Sequence, residues 1–215
     1  MASTPFPAVL TDVAQLRDHY RDPRQLVVDK VTDTIDAITA EFIAASTFCL
    51  IGTADGRGRG DVSPKGGTPG FVQVATPEQL LIPDLNGNNR LDTLTNIIEN
   101  PHVGLLFLVP GRGETLRING RAWVSADDEL RDRFAADYRR PATVICVEVT
   151  EVYLHCAKCV RRGGLWDPAS WRTDTPIPSA GALLATHAGL DIDPAAIDAG
   201  LEEGYGRDLE ADRPL

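Results

Sequence analysis

Length, composition and charge restrict the class of protein to which this chain can belong. It has 215 residues, of which 43% are hydrophobic and 24% charged, as in a globular protein with a core of its own. The longest apolar run, 103–110, is far shorter than the roughly 20 residues of a membrane helix, and residues 1–30 lack a secretory signal pattern. The net charge of −10 disfavours nucleic-acid binding. We expect no nucleic-acid and no membrane partner.

The cysteine content indicates a reducing compartment. Four cysteines are too few and too unevenly placed for a disulfide framework, so we expect free thiols in the cytoplasm. They are Cys49, Cys146, Cys156 and Cys159.

The first predicted elements are two helices. Val13, Leu16 and Tyr20 recur at helical spacing after Asp12, which can cap the helix. A second, amphipathic packing helix is predicted from about Asp33. Its apolar face comprises Ile35, Ile38, Phe42 and Ile43.

Short strands joined by turns are predicted next. Segments 48–53 and 61–65 form a hairpin around a glycine-rich turn, and Pro64 should lie at a strand edge or a bulge because it has no N–H. A second hairpin joins 71–75 to 80–84. A short helix from Leu91 then ends before Pro101.

The remaining strands are longer. Segment 103–109 is continuously apolar, and we expect it to be buried on both faces. Strands are also predicted at 114–124 and 143–154, separated by a helix over 127–138. A turn back into helix follows over 155–162, and a weak helical pattern begins after Ala195.

Six or seven antiparallel strands with small helices at the crossovers describe a closed or nearly closed barrel, so the chain is predicted to be mainly β with peripheral helices. Residues 31–168 would form the barrel, preceded by an N-terminal helical segment, 1–30, and followed by an acidic C-terminal segment, 169–215. Between positions 190 and 215 eight acidic residues stand against two arginines, so this part carries a charge of −6.

The most informative segment is the loop 86–90, Asn-Gly-Asn-Asn-Arg. It leaves a strand and opens a helix, whose first N–H groups and positive dipole end would face the loop. Asparagine side chains and the guanidinium of Arg90 add donors suited to phosphate oxygens. The alternative is a capped helix whose asparagines serve a turn.

The second candidate segment is the strand that carries Ser63 and Lys65. The two side chains alternate onto one face, and Gly66 and Gly67 beyond them would let a flat ring approach the backbone. The alternative is an ordinary exposed lysine beside a turn. Neither a dinucleotide-binding G-x-G-x-x-G nor a G-x-x-x-x-G-K-[ST] phosphate loop is present.

The segment 155–159, His-Cys-Ala-Lys-Cys, contains zinc-ligand residue types. A single C-x-x-C beside one histidine lacks the second ligand pair of a structural zinc site, so we predict no metal site. The two thiols could form a redox pair. We favour a helix start that turns Lys158, Arg161 and Arg162 towards an anion or a neighbouring subunit.

Together these segments resemble the pyridoxamine 5′-phosphate oxidase-like FMN-binding proteins, over roughly 31–168. A bacterial branch of the family also carries His-Cys-x-Lys, here His155 to Lys158, and Leu-Trp-Asp-Pro, here Leu165 to Pro168. The other matching segments are 48–66, 81–84, 87–92, 96–101, 103–107 and 111–122.

The resemblance implies a six-stranded antiparallel split β-barrel that dimerises, with one FMN in each of two clefts between the subunits. It implies that the FMN phosphate is held by Lys65, Asn88, Asn89 and Arg90. It also implies that Thr115 and Arg117 make polar contacts to the flavin, and that Ser63 lies along the isoalloxazine edge.

The chain departs from true pyridoxamine phosphate oxidases, since Asn-Asn-Arg replaces their helix-opening Ser-Arg-Lys type of motif. Their C-terminal arginine and histidine arrangement for pyridoxal phosphate also has no clear counterpart. We therefore expect a cytoplasmic, homodimeric FMN-dependent oxidoreductase with an unknown small-molecule substrate or electron donor, and we identify no catalytic residue. The alternatives are a non-catalytic flavin carrier or sensor, and a split barrel that binds F420 or haem.

Overall fold

The computed structural model describes residues 6–172 and 176–214. The chain enters through two short exposed helices, α1 (Val13–Asp18) and α2 (Gln25–Asp29). The predicted cap of α1 is confirmed, because the Asp12 side chain accepts the N–H of Gln15 at 2.9 Å. The next helix, α3 (Ala37–Ala45), begins later than predicted because Asp36 caps it by accepting the N–H of Thr39 at 2.7 Å.

The predicted apolar face of α3 is partly wrong. Ile35 is buried, but it lies before the helix and bonds through its N–H to the Pro77 carbonyl. Ile38 is 77% exposed, so it does not belong to the face that packs on the sheet. Ile43 lies in the core as expected.

Seven strands form a single antiparallel sheet in the order β2-β1-β5-β6-β7-β4-β3. Three of the six connections between strands are short hairpins, which antiparallel pairing permits. The strands are β1 (Phe48–Ala54), β2 (Gly60–Gly66), β3 (Gln73–Thr76), β4 (Gln79–Pro83), β5 (His102–Leu108), β6 (Thr115–Ser125) and β7 (Val144–His155).

The prediction of a six-stranded barrel is therefore right in its class, mainly antiparallel β with helices, and wrong in strand number and closure. The sheet is open, with β2 and β3 as its two edges. Pro64 lies in β2 as an edge residue, as predicted, and cannot donate to a further strand. The short β3 has a register shift between Val74 and Thr76, so neither edge offers a regular ladder to the other.

The core lies on one face of the sheet, which we call the inner face. Ile51, Leu105 and Ile118 pair across neighbouring strands and are almost completely buried there, since directly paired residues project to the same side. The expectation that 103–109 is buried on both faces is wrong. Leu106 and Leu108, which alternate with the buried residues, are only half-buried on the outer face.

The remaining helices surround this sheet. Helix α4 (Asp92–Glu99) packs on β1, where the Asn96 amide donates to the Thr53 hydroxyl at 3.0 Å. Helix α5 (Asp128–Asp132) is shorter than the predicted 127–138, which continues in turns that bury Phe134. Helix α6 (Lys158–Arg162) and a 3₁₀ turn (Pro168–Ser170) follow β7.

The C-terminal part forms a helical hairpin of α7 (Ala180–Ala188) and α8 (Pro194–Ala211). The Asp198 carboxylate joins the two by accepting the N–H of Gly181 at 2.7 Å. The end of α8 returns to the sheet, where the Asp212 carbonyl accepts the N–H of Arg139. No helix in the described ranges is both long and apolar enough to cross a membrane. The division into three segments stays a prediction.

Candidate functional site

A cleft of about 730 Å³ opens beside the free edge of β2, within the size range of small-molecule sites. Residues 61–66 of β2 form one wall, and the end of β4 with the loop 84–91 forms the other. Residues 139–142 and 211–212 complete the rim. Helix α4 begins in this cleft because its packing on β1 brings its first turn to the edge of the sheet.

Asp61, Ser63 and Lys65 line the β2 wall. They alternate with the exposed Val62 and Pro64, as the two-residue period of a strand requires. Lys65 is half-buried and forms no ion pair with any described residue. Its ammonium charge is therefore available to a ligand in the cleft.

Asp84 lies across the cleft from this lysine, at the end of β4. Burial raises the pKa of the Asp84 carboxyl, and the charge of Lys65 offsets part of that increase. The backbone N–H of Asp84 is bonded to the Thr143 carbonyl, which fixes the start of the loop. A half-buried carboxyl with a raised pKa in a cleft can exchange a proton at a higher pH than an exposed one.

The loop between β4 and α4 has an unusual backbone. Asn89 and Leu91 adopt positive φ angles of 58° and 60°, and asparagine tolerates this conformation better than most residues. The Asn88 side-chain oxygen accepts the N–H of Arg90 at 3.0 Å, so Asn88 does serve a turn. No side chain caps α4 at Leu91, so the first-turn N–H groups, oriented towards the cleft, lack a side-chain acceptor.

Arg90 is less available than the sequence suggests. Its Nε donates to the Asp92 carboxylate at 2.7 Å, and a second guanidinium nitrogen lies 3.4 Å from the other oxygen. The bond to Asp92 raises the pKa of Arg90 above its ordinary value. The pair is exposed to solvent, where such ion pairs are weak, so a phosphate can compete for the guanidinium.

Thr115 and Arg117 lie elsewhere, on the outer face of the sheet. Arg117 pairs with Leu106, which pairs with Leu50, which in turn pairs with Pro64. Directly paired residues share a face, and Pro64 faces away from Ser63 and Lys65. Thr115, two residues before Arg117, shares the outer face but is only 4% exposed.

The outer face carries its own cationic group around Tyr153. Arg117 donates to the Tyr153 hydroxyl at 2.8 Å, and Arg117 and Lys30 each lie 5.4 Å from the ring centroid, within cation–π distance. Burial, with the charges of Arg117 and Lys30, lowers the pKa of the neighbouring His155. The structure thus brings Ser63, Lys65, Asn88, Asn89 and Arg90 together and places Thr115 and Arg117 on the other side of the sheet.

Sequence reasoning missed three residues of the cleft, namely Asp84, Arg139 and Asp212. The exposed Arg139 forms no side-chain hydrogen bond or ion pair with the described residues. The Asp212 carboxylate accepts the N–H of Asn86 at 2.9 Å, so the C-terminal helix ends on the candidate phosphate loop. Arg139 could have been noticed in the sequence as a candidate anion ligand, since it belongs to an Arg-Arg-Pro triplet. Nothing in the sequence indicates that Asp212 contacts position 86.

The cleft is close to electrically neutral. Four carboxylates and four cations line it, and Arg140 is engaged away from the cleft by Asp128 and Asp132. Anion binding must therefore rest on local geometry rather than on a broad positive field. The lining residues with charge are Asp61, Asp84, Asp92, Asp212, Lys65, Arg90, Arg139 and Arg140.

Comparisons with known proteins give the family of this chain. Among proteins of curated function none matches this chain. Similar solved structures include HupZ from Group A Streptococcus, 16% identical over 55% of this chain and 91% of that chain with a TM-score of 0.47. A candidate pyridoxamine 5′-phosphate oxidase from Lactobacillus delbrueckii is 20% identical over 57% and 95%, with a TM-score of 0.46. An F420 reductase is 15% identical over 54% and 94%, with a TM-score of 0.37.

Likeness at this level carries no argument about ligand or activity. The family profile is stronger evidence, because it matches residues 35–156, more than half of the chain, and covers all seven strands. The chain belongs to the pyridoxamine 5′-phosphate oxidase family.

Proposed function

We propose that the cleft binds FMN and that the protein is an FMN-dependent oxidoreductase. The observation that carries this proposal is the convergence of Lys65 and the uncapped start of α4 on one cleft. An unpaired ammonium group and free backbone N–H groups together suit a phosphate monoester. Arg90 and Arg139 are further cations within the same cleft.

The residues present fit the FMN phosphate better than a larger anionic group. The near-neutral lining offers two unpaired cations, Lys65 and Arg139, which match the charge of one phosphate. Bound FMN would supply hydride or electron transfer, while the protein supplies position and electrostatics. Ser63, two residues from Lys65 on the same wall, would lie along the ring.

The location of Arg117 supports a site that two chains share. Lys65 and Arg117 lie on opposite faces of the sheet, with β1 and β5 between their strands, so a ligand bound to Lys65 on the inner side of one chain is turned away from Arg117 of the same chain. The outer face around Arg117 also presents half-buried Leu50 and Leu106, with Val62 65% exposed. We infer a homodimer in which each copy presents this face to the cleft of the other, so that Arg117 contacts the flavin ring.

Absorbance and fluorescence titration test the cofactor. Purified protein should quench the fluorescence of added FMN with saturation at one FMN per chain, and it should bind riboflavin more weakly because riboflavin lacks the phosphate. Equal affinity for FMN and riboflavin would show that the phosphate contributes nothing to binding. Saturable binding of F420 or haem with no binding of FMN would show that the cofactor is F420 or haem and not FMN.

Steady-state reduction distinguishes an enzyme from a carrier. The FMN-loaded protein, mixed with a reduced nicotinamide and a panel of small-molecule acceptors, should oxidise the nicotinamide catalytically. Bound FMN that is never reduced under these conditions would instead support a flavin carrier or sensor.

Mixing two variants tests the shared site. Lys65→Ala and Arg117→Ala each damage a different half of the site, so a dimer with one copy of each contains one intact site and one site with both defects. Co-expressed variants should recover, in the one intact site of each mixed dimer, the wild-type FMN affinity that neither variant has alone. No recovery, or a monomer in sedimentation with flavin bound, contradicts the shared site.

A further inference from the structure

The C-x-x-C segment after β7 plays no part in the proposed cofactor site. It forms a tight turn at the start of α6, with Ala157 and Val160 buried beneath it. Cys156 and Cys159 alternate with these two residues, and both are exposed. Ala157 and Val160, three residues apart, thus anchor the turn, and Cys156 and Cys159, with the same spacing, are left at the surface.

The backbone of this turn brings the two cysteines within disulfide distance. Ala157 has φ −67° and ψ −3°, and Lys158 is the first residue of α6. A four-residue turn with both central residues in the helical region keeps its end Cα atoms less than about 7 Å apart. Disulfides span Cα separations of roughly 4.4 to 6.8 Å, so little movement is needed to close a bond.

The other two cysteines of the chain are less available than this pair. Cys49 is completely buried in the core, and burial raises the pKa of its thiol to about 12. Cys146 is half-buried, and burial also raises the pKa of its thiol. Because the thiolate is the reactive form, neither should compete with the exposed pair.

The surroundings favour thiol chemistry over metal binding. Lys158, Arg161 and Arg162 belong to the same exposed helix, and three cations oppose a metal ion but attract an anionic reagent. In the described ranges, no group of three or more histidine, cysteine or acidic side chains is placed to hold a metal ion. His155 faces Arg117 and Lys30, whose charges already disfavour a further positive charge beside it.

The turn is also held against the rest of the protein. A Cβ atom at Gly113, in the loop between β5 and β6, would lie only 2.7 Å from the Ala157 Cβ, so the two segments are in close contact. The Trp166 indole donates to the Arg112 carbonyl at 2.6 Å, which ties down the chain beyond α6. A fixed turn favours bonding between the two neighbouring sulfurs over capping of each sulfur by a separate molecule.

We propose that Cys156 and Cys159 form a reversible intrachain disulfide by exchange with an anionic low-molecular-weight disulfide such as oxidised glutathione. One protein thiolate attacks a sulfur of the small disulfide, forms a mixed disulfide and releases one small thiolate. The second protein thiolate then attacks the protein sulfur of that mixed disulfide and releases the other small thiolate. Two protein thiols are oxidised and one small disulfide is reduced to two thiols, so electrons and protons balance.

Thiol counting and intact mass test this proposal on the full chain, with or without flavin, so the result is separate from the fate of the cofactor proposal. In native reduced protein two thiols should react rapidly with Ellman's reagent, the half-buried Cys146 more slowly, and the buried Cys49 only after denaturation. Oxidised glutathione should remove both fast thiols and lower the mass by two hydrogen atoms, at a rate per molecule that does not depend on protein concentration. Dithiothreitol should restore both thiols.

Variants assign the bond. Cys156→Ser and Cys159→Ser should each stop at a mixed disulfide with one glutathione, whereas the matched control Cys146→Ser should still close the intrachain bond. Wild-type protein that keeps its fast thiols, gains two glutathiones, or forms a disulfide-linked dimer would overturn the proposal. If a variant fails to fold, peptide mapping of the oxidised wild-type protein shows directly whether Cys156 and Cys159 are joined.

Discussion

Replacing Lys65 by alanine should weaken FMN binding and leave riboflavin binding unchanged. The ammonium group is half-buried on the cleft wall and unpaired among the described residues, so its interaction with a phosphate is not offset by a lost ion pair. A hydrogen bond to a charged group contributes about 1.5 to 3 kcal/mol. That corresponds to a rise in the FMN dissociation constant of roughly 10- to 150-fold.

The assay is a flavin fluorescence titration of each variant with FMN and with riboflavin in parallel. Lys65→Arg should retain most of the FMN affinity, since it keeps the charge. Lys158→Ala, which removes an exposed lysine of α6, is the matched control and should bind both ligands as wild type does. An equal loss for both ligands would place Lys65 at the ring or in the fold rather than at the phosphate, and would refute the reasoning.

Three other predictions concern stability and the electrostatics of the cleft. Tyr138→Phe should lower the free energy of unfolding by about 0.5 to 1.5 kcal/mol in denaturant titrations, because the Tyr138 hydroxyl accepts the N–H of Thr68 at 2.7 Å; the exposed Tyr205→Phe should have no such effect. Asp84→Asn should be more stable than wild type at neutral pH. Burial raises the pKa of Asp84, so the folded wild-type protein favours the protonated carboxyl and loses that stability as the pH rises through the folded pKa. The difference in stability between Asp84→Asn and wild type should therefore vanish below about pH 4, where the carboxyl is protonated in both the folded and the unfolded state. Asp212→Asn keeps a side-chain oxygen but removes a charge, and should therefore bind FMN several-fold more tightly with riboflavin binding unchanged; weaker FMN binding would show that the carboxylate orders the loop instead.

The local elements of this fold could be predicted from the sequence. Turn residues and alternating apolar residues determine where strands begin and end, and all seven predicted strand segments overlap observed strands. The candidate phosphate loop was recognisable for the same reason, since its asparagines and arginine stand between a strand and a helix. The start of α3 was missed because Asp36, rather than an earlier residue, supplies the cap.

Relations between distant segments could not be predicted. The face on which Arg117 lies depends on the register of β6 against β5, which no local pattern specifies. Arg139 and Asp212 reach the cleft only because the turn after α5 and the end of α8 pack beside it. Closure of the barrel depends on whether the two edge strands β2 and β3 meet in a common ladder. They are neighbours in sequence, but the local residue pattern does not specify whether their free edges pair.

The open sheet leaves two strand edges that other polypeptides could extend, and each edge has a feature that opposes it. Pro64 interrupts the row of N–H donors on β2, and the register shift at Val74 interrupts the ladder on β3. Proline and bulges at edges are known protections against edge-to-edge aggregation. The open sheet beside the cleft therefore carries its own protection against edge-to-edge association, and Pro64→Val should make the protein more prone to aggregate on prolonged incubation than wild type.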